Sequence, residues 1–206
     1  MFNKEYFERV FEKGNSWGYG ACEYEAVKYA RQLDIIRRFY PQPERILEIG
    51  CAEGAHTLML LQAFPEARVM GIDISRLAVE RARQNCAGCS NAELVEADII
   101  ELLRHGELPP AAFDVIIQSE SLYYLFPRLL VQMNLVSYLR NMTRSLKSGG
   151  IFVTANGINI ITRGVMGTYY SVLGKFCNPL YAAKYREWNE FRQQRLTYDV
   201  RVFQAK

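Results

Sequence analysis

The chain has 206 residues, of which 50% are hydrophobic and 23% are charged, a composition typical of one soluble globular domain. Its net charge is only +3 and lysine and arginine form no block, which argues against nucleic acid or an anionic membrane as the partner. The sequence contains no apolar run of transmembrane length and no signal-peptide core at its start, so we expect a single domain over residues 1–206 in the cytoplasm.

Two helices and an aromatic loop are predicted before the first strand. Apolar residues at helical spacing predict a short helix over residues 3–13, and a second helix is predicted from about Cys22 to Tyr40. The glycine-rich segment between them carries Trp17 and Tyr19. We interpret residues 1–40 as a helical and aromatic lid over a ligand site.

The most informative stretch of the sequence runs from Arg45 to Leu61. The apolar run Ile46–Ile49 predicts a buried strand, and a turn with glycines at positions 50 and 54 follows it and leads into a helix. In α/β sheets, a strand, a glycine-containing turn and a helix form a nucleotide pocket at the carboxyl ends of the strands. Glu48 is an acid within the apolar strand, so it needs a cationic or hydrogen-bonding partner.

The turn lacks the middle glycine of the fingerprint Gly-x-Gly-x-x-Gly, the glycine that lets the backbone approach a pyrophosphate. An acidic residue just before the turn would also repel phosphates. The pattern therefore favours a nucleoside with a positive group over a dinucleotide.

The next two predicted strands each end in an acid. Asp73 ends the strand that begins at Arg68 and stands 23 residues beyond Gly50, close to the spacing at which an acid accepts the ribose hydroxyls. Alternatively, Asp73 or Ser75 caps the helix predicted for Arg76–Asn85. The third strand runs from Glu93 to Asp98, which could also be an ordinary loop-starting residue.

A fourth and a fifth strand are predicted in the second half of the chain. The fourth spans Ala112–Gln118, and the fifth spans Ile151–Ala155. A helix is predicted between them from about Arg128 to Leu146, with glycines just beyond it as a stop signal.

The C-terminal part of the sequence has a different pattern. Residues 156–184 carry glycines and aromatic residues without a clear period, and residues 185–194 and 196–204 predict two closing strands. Five strand–helix units before them indicate an α/β fold, a parallel sheet with helices on both faces.

Metal binding is not predicted. Cys86 and Cys89 have the spacing of a redox or metal pair, but no second pair exists, and His56 and His105 lie far away in sequence. Five cysteines, an odd number, do not form a disulfide framework.

Four signals occur in a definite order: Glu48–Gly54, Asp73, Asp98, and Phe113–Tyr124. Together they resemble the core of class I S-adenosylmethionine-dependent methyltransferases over roughly residues 22–156. The resemblance implies a Rossmann-like fold with a seven-stranded, mostly parallel sheet. It also implies S-adenosyl-L-methionine as the cofactor and S-adenosyl-L-homocysteine as the product.

A narrower resemblance rests on two further motifs. Trp17 followed by Tyr24-Glu25 and Lys28-Tyr29, together with Ser119-Glu-Ser-Leu-Tyr-Tyr-Leu125, resembles the signature of the nodulation-type (NodS-like) methyltransferases. Founding members of that family N-methylate the glucosamine end of a chitooligosaccharide. The chain departs from the family at Asn15-Ser16, where Asp-Pro is usual, and over residues 156–184, so the substrate is not transferred with the family name.

The resemblance and the motifs together define the expected site, with residues 41–156 as the cofactor-binding core and residues 157–206 as the acceptor side. In the resemblance, Asp98 contacts the exocyclic amine of adenine, and its neighbours on either side supply backbone and apolar contacts. The residues expected to bind the cofactor are Trp17, Tyr24, Glu48, Gly50, Cys51, Ala52, Gly54, Asp73, Ile74, Ala97, Asp98, Ile99 and Ser119.

Three residues are candidates for catalysis. Glu120 could accept a proton from an amine acceptor or hold its ammonium form, and Tyr123 could present an aromatic face to the sulfonium. His56 is a second candidate base, although a histidine there is also an ordinary polar helix residue. For the aromatic residues, including Tyr24, core packing is the alternative.

The leading functional hypothesis is methyl transfer to nitrogen or oxygen of a small molecule such as an amine, an amino sugar or a specialised metabolite. A nucleic-acid methyltransferase is disfavoured because Ser119–Leu122 stands where base-amine methylators carry (Asp/Asn)-Pro-Pro-(Tyr/Phe). A non-catalytic module that binds a partner is the alternative from another class. The acidic and glycine residues of the cofactor motifs argue against it.

Overall fold

The sheet at the centre of the fold has seven strands. The computed structural model describes residues 2–14 and 22–206, so Trp17 and Tyr19 lie outside the described residues. The strands are β1 (Arg45–Ile49), β2 (Arg68–Asp73), β3 (Ala92–Glu96), β4 (Phe113–Ser119), β5 (Leu146–Gly157), β6 (Cys177–Asn189) and β7 (Gln194–Ala205). The helices are α1 (Lys4–Glu12), α2 (Glu23–Phe39), α3 (Ala55–Ala63), α4 (Arg76–Asn85), α5 (Ile99–His105), α6 (Leu122–Leu129), α7 (Leu135–Arg144) and α8 (Ile160–Leu173).

The strand order is β3-β2-β1-β4-β5-β7-β6. The pairs among β1 to β5 are parallel, whereas β7 runs antiparallel to both β5 and β6. The predicted α/β fold with a mostly parallel seven-stranded sheet is confirmed. Because the order reverses between β1 and β4, a crevice opens at the carboxyl ends of these strands, where α/β folds bind ligands.

Two apolar layers cover the sheet, one on each face. Ile46 of β1 packs with α2, α3 and α4, while Leu47 and Ile49 pack with α5 to α8 on the other face. Successive strand residues point to opposite faces, and both faces of β1 are buried, which is why its sequence is nearly continuous in apolar residues.

The prediction of one continuous helix from about Arg128 to Leu146 is wrong. Helix α6 ends at Leu129, and α7 begins only at Leu135. Asn134 caps α7, since its side chain accepts the backbone N–H of Ser137 at 2.8 Å. An asparagine at that position is a helix-start signal within an apolar pattern that otherwise looks continuous.

Three other elements differ from the prediction. Helix α5 was not predicted, β5 already begins at Leu146, and residues 156–184 contain α8 and most of β6. Helix α8 carries Gly164 and Gly167, which weaken helix propensity, but its buried Tyr169 and Leu173 pack against the sheet. Tertiary packing thus overrides the local signal.

Among the described residues, none of the helices combines the length and the hydropathy that a membrane span requires.

Candidate functional site

A cleft of about 680 Å³ lies at the carboxyl ends of β1, β2 and β4. Residues from these strand ends, from the starts of α5 and α6 and from α1 surround it. They are Phe7, Phe11, Ile49, Gly50, Ala52, Ile72, Asp73, Ile74, Ala97, Asp98, Ile99, Ser119, Glu120, Ser121, Tyr124, Leu125 and Arg128. The structure thus brings together eight of the predicted cofactor-binding residues: those at positions 50, 52, 73, 74, 97, 98, 99 and 119.

The turn after β1 depends on its two glycines. Gly50 has φ +78°, and a Cβ there would lie 2.9 Å from the Cβ of Ser121. Gly54 has φ +82° and is pressed against Ala82, so α3 can pack closely on α4. Cys51 is buried beneath the turn and does not line the cleft, and burial raises the pKa of its thiol. Gly54 and Cys51 therefore shape the turn without facing the cleft.

Asp73 stands at the end of β2 with its carboxylate in the cleft wall. Oδ2 accepts the backbone N–H of Ala52 at 3.0 Å, and Oδ1 accepts that of Ser75 at 2.9 Å. Burial raises the pKa of Asp73 to about 6 despite these backbone hydrogen bonds. Ser75, not Asp73, caps α4, because its hydroxyl accepts the N–H of Ala78. The carboxylate of Asp73 thus lines the cleft and does not serve as the cap of α4.

Asp98 lies at the other end of the cleft and caps α5. Its Oδ1 accepts the N–H of Ile100 at 3.0 Å, and its Oδ2 forms a short ion pair with Arg128. Arg128 was not predicted as a site residue, because in the sequence it is only a cation that follows an apolar helical pattern. Its side chain is 5% exposed, so the charge needs Asp98 as its partner.

Glu48 and His56 form a pair behind the turn. Glu48 accepts the hydroxyl of Thr57, and its Oε1 lies 2.9 Å from His56 Nδ1. The imidazole stacks on Tyr29 with 4.5 Å between the ring centroids. The hydrogen-bonding partner that Glu48 requires is therefore present. Both residues line a small recess next to Gly50, Ser119 and Glu120 and are absent from the lining of the main cleft.

A second cavity of about 1030 Å³ adjoins the cleft and shares Glu120 and Tyr124 with it. Its wall combines polar and apolar groups in similar amounts and comes largely from α2, from the segment after β5 and from the β6–β7 hairpin. The residues are Tyr24, Glu25, Glu120, Tyr123, Tyr124, Gly157, Ile158, Asn159, Thr162, Asn189, Arg192, Leu196 and Thr197. His56 does not line this cavity, so its placement gives no support to a role as a base.

A buried ammonium group connects two carboxylates at the boundary of the cavities. Lys28 Nζ lies 2.8 Å from Glu120 Oε1 and 2.9 Å from Glu25 Oε2, and the lysine is fully buried. Two acids around one base leave the cluster of Lys28, Glu25 and Glu120 with one surplus negative charge when all three are ionised. This cluster was missed as a site feature, although Glu25 and Lys28 stand in the signature quoted above.

The two carboxylates of this cluster differ in their hydrogen bonding. Glu120 accepts from Lys28, from the Tyr123 hydroxyl at 2.7 Å and from the Gly157 N–H at 3.1 Å. Burial acts to raise the pKa of Glu120, but Lys28 and these donors outweigh it and hold the pKa below its ordinary value. Burial and the nearby Glu120 raise the pKa of Glu25, only partly offset by Lys28. Glu120 is therefore the more firmly ionised acid.

Tyr123 and Tyr24 both contact this cluster. The Tyr123 hydroxyl is a hydrogen-bond donor to Glu120, and its ring lines the second cavity. Tyr24 is buried, with its ring centroid 5.1 Å from Lys28 Nζ, and it lines the second cavity without reaching the cleft. This placement does not support cofactor binding by Tyr24; core packing, the stated alternative, fits it better.

Helix α1 covers the cleft and is fixed to α4. Phe7 and Phe11 reach the cleft from α1. The Glu8 carboxylate accepts the Ser75 hydroxyl at 3.0 Å and the backbone N–H groups of Arg76 and Leu77 at the start of α4. An acid at a helix N-terminus is favourable, so α1 is held in place over the cleft.

A cleft at the topological switch point, an acid at the end of β2, a second acid after β3 and this strand order define the class I methyltransferase fold. The family model described as "Methyltransferase domain" matches residues 42–190. The chain belongs to this family.

Comparison with individual proteins gives more distant similarities. The chain is 33% identical over 130 residues to malonyl-[acyl-carrier protein] O-methyltransferase of Halalkalibacterium halodurans, covering 61% of this chain and 47% of that protein. It is 35% identical over 80 residues to tRNA1(Val) (adenine(37)-N6)-methyltransferase of Porphyromonas gingivalis, covering 37% of this chain and 31% of that protein. The chain thus spans less than half the length of these curated relatives.

The fold is similar to that of the N-methyltransferase NodS from Bradyrhizobium japonicum, solved with S-adenosyl-L-homocysteine. The TM-score is 0.78 at 22% identity, and the match covers 98% of this chain and 97% of that one. The expected structural similarity to the nodulation-type methyltransferases is confirmed. At this level of identity, the match establishes the fold alone.

Replacing Gly50 by alanine tests the constraint at the turn. We expect Gly50→Ala to lower the free energy of unfolding by about 1–3 kcal/mol, because the new side chain meets Ser121 and the backbone is left-handed. Gly88→Ala is the matched control, since a Cβ there meets nothing within 4 Å. Urea unfolding of both variants measures the difference, and equal stability would contradict the close approach.

Proposed function

We propose that this protein is an S-adenosyl-L-methionine-dependent methyltransferase that acts on a small molecule. The cofactor binds in the cleft, and the acceptor binds in the second cavity. The observation that carries the proposal is that the two spaces meet at Glu120 and Tyr124: one is mainly apolar with the carboxylates of Asp73 and Asp98, and the other is richer in polar groups.

The residues of the cleft fit this cofactor. Asp73 offers a carboxylate to the ribose hydroxyls, and Asp98 offers one to the adenine amine. Ile74 and Ile99 provide apolar surface, and Gly50 leaves room where a side chain would project. When bound, the cofactor supplies a methyl group on a sulfonium, which an acceptor attacks in line.

The residues around the junction would act mainly by positioning. When Glu25 and Glu120 are both ionised, the surplus negative charge of their cluster with Lys28 favours a positive sulfonium and a cationic acceptor. Glu120 is fixed by three donors, so it serves to hold an ammonium group in place. Tyr123 and Tyr124 add aromatic faces next to this point.

An amine is the acceptor that this charge favours. An ammonium ion can pair with the ionised carboxylates, whereas a neutral hydroxyl gains less from them. Asn159, Thr162 and Thr197 give the wall of this cavity a polar character that suits a polyhydroxylated body such as an amino sugar. We therefore favour nitrogen over oxygen as the site of methylation.

The names of the relatives point to different acceptors. They include an acyl-carrier-protein substrate, a tRNA adenine and, for NodS, N-methylation. The size and polarity of the second cavity favour a small molecule over nucleic acid. We propose that residues 157–206 shape this cavity and that residues 41–156 hold the cofactor. Within the predicted lid of residues 1–40, we assign the covering role to α1, because α2 packs into the core.

Calorimetric titration with S-adenosyl-L-homocysteine tests cofactor binding, with NADH as the control. We expect S-adenosyl-L-homocysteine to bind and NADH not to bind. Because Asp73 accepts best when ionised and its pKa is about 6, affinity should fall as the pH is lowered from 7 to 5.

The variant Asp73→Asn should bind about 10- to 100-fold more weakly, the effect of losing charge-assisted hydrogen bonds, and should lose this pH dependence. Asp34→Asn, at an exposed position, is the matched control. Unchanged affinity in Asp73→Asn would remove Asp73 from the ribose-binding role.

The variant Glu120→Gln tests the acceptor side. Turnover should fall, because the amide lacks the charge that faces Lys28 and the acceptor, while affinity for S-adenosyl-L-homocysteine stays within a few-fold. The assay follows transfer of a labelled methyl group to a panel of primary amines and amino sugars. Glu23→Gln is the control, because it makes the same substitution at an exposed glutamate on α2. Full turnover in Glu120→Gln would refute its role.

A further inference from the structure

The proposed cofactor does not by itself account for the buried arginine in the cleft. Arg128 is the only cation among the described residues that line the cleft. Its Nε donates to Gln132 Oε1 at 2.9 Å, and its Nη2 donates to Asp98. Nη1 has no acceptor among the described residues of the chain. The guanidinium thus retains donor capacity at the end of the cleft where Asp98 stands.

Stability does not explain why this charge is buried. Taking an arginine and an aspartate out of water costs several kcal/mol per ion in general, and a well-packed apolar pair would serve the core as well or better. Pro127 precedes the arginine, and the backbone carbonyl of Arg128 accepts N–H groups of Val131 and Gln132, so its position is fixed at the end of α6. The arginine is therefore held rigidly beside the cleft.

The pair presents an acceptor and a donor side by side. Adenine carries the complementary pattern, an amine donor next to a ring-nitrogen acceptor, and side-chain amides read adenine through this pattern in DNA. Asp98 supplies the acceptor and Arg128 the donor. A 6-oxo purine has a carbonyl oxygen where adenine has its amine. This acceptor would lie against the carboxylate of Asp98, which is also an acceptor, so such a base would bind poorly.

From this arrangement, and resting on the proposed cofactor, we infer that Arg128 is a second adenine-reading residue: it donates to the ring nitrogen adjacent to the amine that Asp98 accepts. The pair then provides both binding energy and base selectivity. Arg128 contacts the cofactor away from the methyl group, so it acts in cofactor recognition and takes no part in methyl transfer.

Calorimetry with four ligands tests this inference: S-adenosyl-L-homocysteine, its 1-deaza and 7-deaza analogues, and its 6-oxo analogue. In the unmodified protein, one of the two deaza analogues should bind about 10-fold more weakly or worse, because the guanidinium has lost its acceptor. Weaker binding of the 6-oxo analogue is expected from Asp98 alone.

The variant Arg128→Gln should bind S-adenosyl-L-homocysteine about 10- to 100-fold more weakly and should lose the discrimination against that deaza analogue. Arg128→Lys, which keeps a charge for Asp98, should retain the fold and part of the affinity. Arg104→Gln, an exposed arginine on α5, is the control. Thermal unfolding reports whether each variant is folded.

Two results would overturn the inference while leaving the proposed function intact. One is equal binding of S-adenosyl-L-homocysteine and both deaza analogues to the unmodified protein. The other is a folded Arg128→Gln variant that still binds and discriminates as the unmodified protein does. Failure of the unmodified protein to bind S-adenosyl-L-homocysteine at all would overturn the proposed function, and this inference with it.

Discussion

The organisation of the site depends on the burial of the Lys28 ammonium between two carboxylates. Lys28 is fully buried on α2, and such a charge persists only when it is paired and hydrogen-bonded. Glu120 satisfies it from the end of β4, and Gly157 at the end of β5 donates to the same carboxylate. One ion-pair cluster thus ties α2 to two central strands at the point where the cleft and the second cavity meet. When both carboxylates are ionised, it also leaves a surplus negative charge there.

This arrangement separates two tasks that the chain must perform. The carboxyl ends of β1, β2 and β4 form a cleft of the shape and polarity of a nucleoside site, and α1 covers it. The segment after β5 and the β6–β7 hairpin supply most of the wall of the second space. In the proposed function, the parallel part of the sheet serves cofactor binding and the antiparallel part serves the acceptor. Variation in the C-terminal segment would then change the acceptor without altering the cofactor site.

Local signals in the sequence predicted the first half of the fold well. Strand β2 and helix α4 have the predicted bounds, because an apolar run, an aspartate and a serine cap mark them without ambiguity. Helix α8 was missed because packing, not local propensity, decides it. The break before Asn134 was missed because this helix cap stands within an apolar pattern that otherwise looks continuous. In the site, the two glycines of the turn and Asp73 could be predicted, because their spacing along the sequence is typical of a nucleotide site. Two ion pairs of the site, Arg128 with Asp98 and Lys28 with Glu120, join residues that are far apart in sequence. No pattern in one sequence reveals such a pairing.

A crystal structure of the complex with S-adenosyl-L-homocysteine would locate both ends of the cofactor at once. We expect adenine at Asp98, ribose at Asp73, and the thioether sulfur at the junction beside Glu120, open to the cavity lined by Glu25 and Tyr123. The methyl group would then enter the polar cavity. A sulfur atom that points away from this cavity, or a ligand bound outside the cleft, would contradict the account.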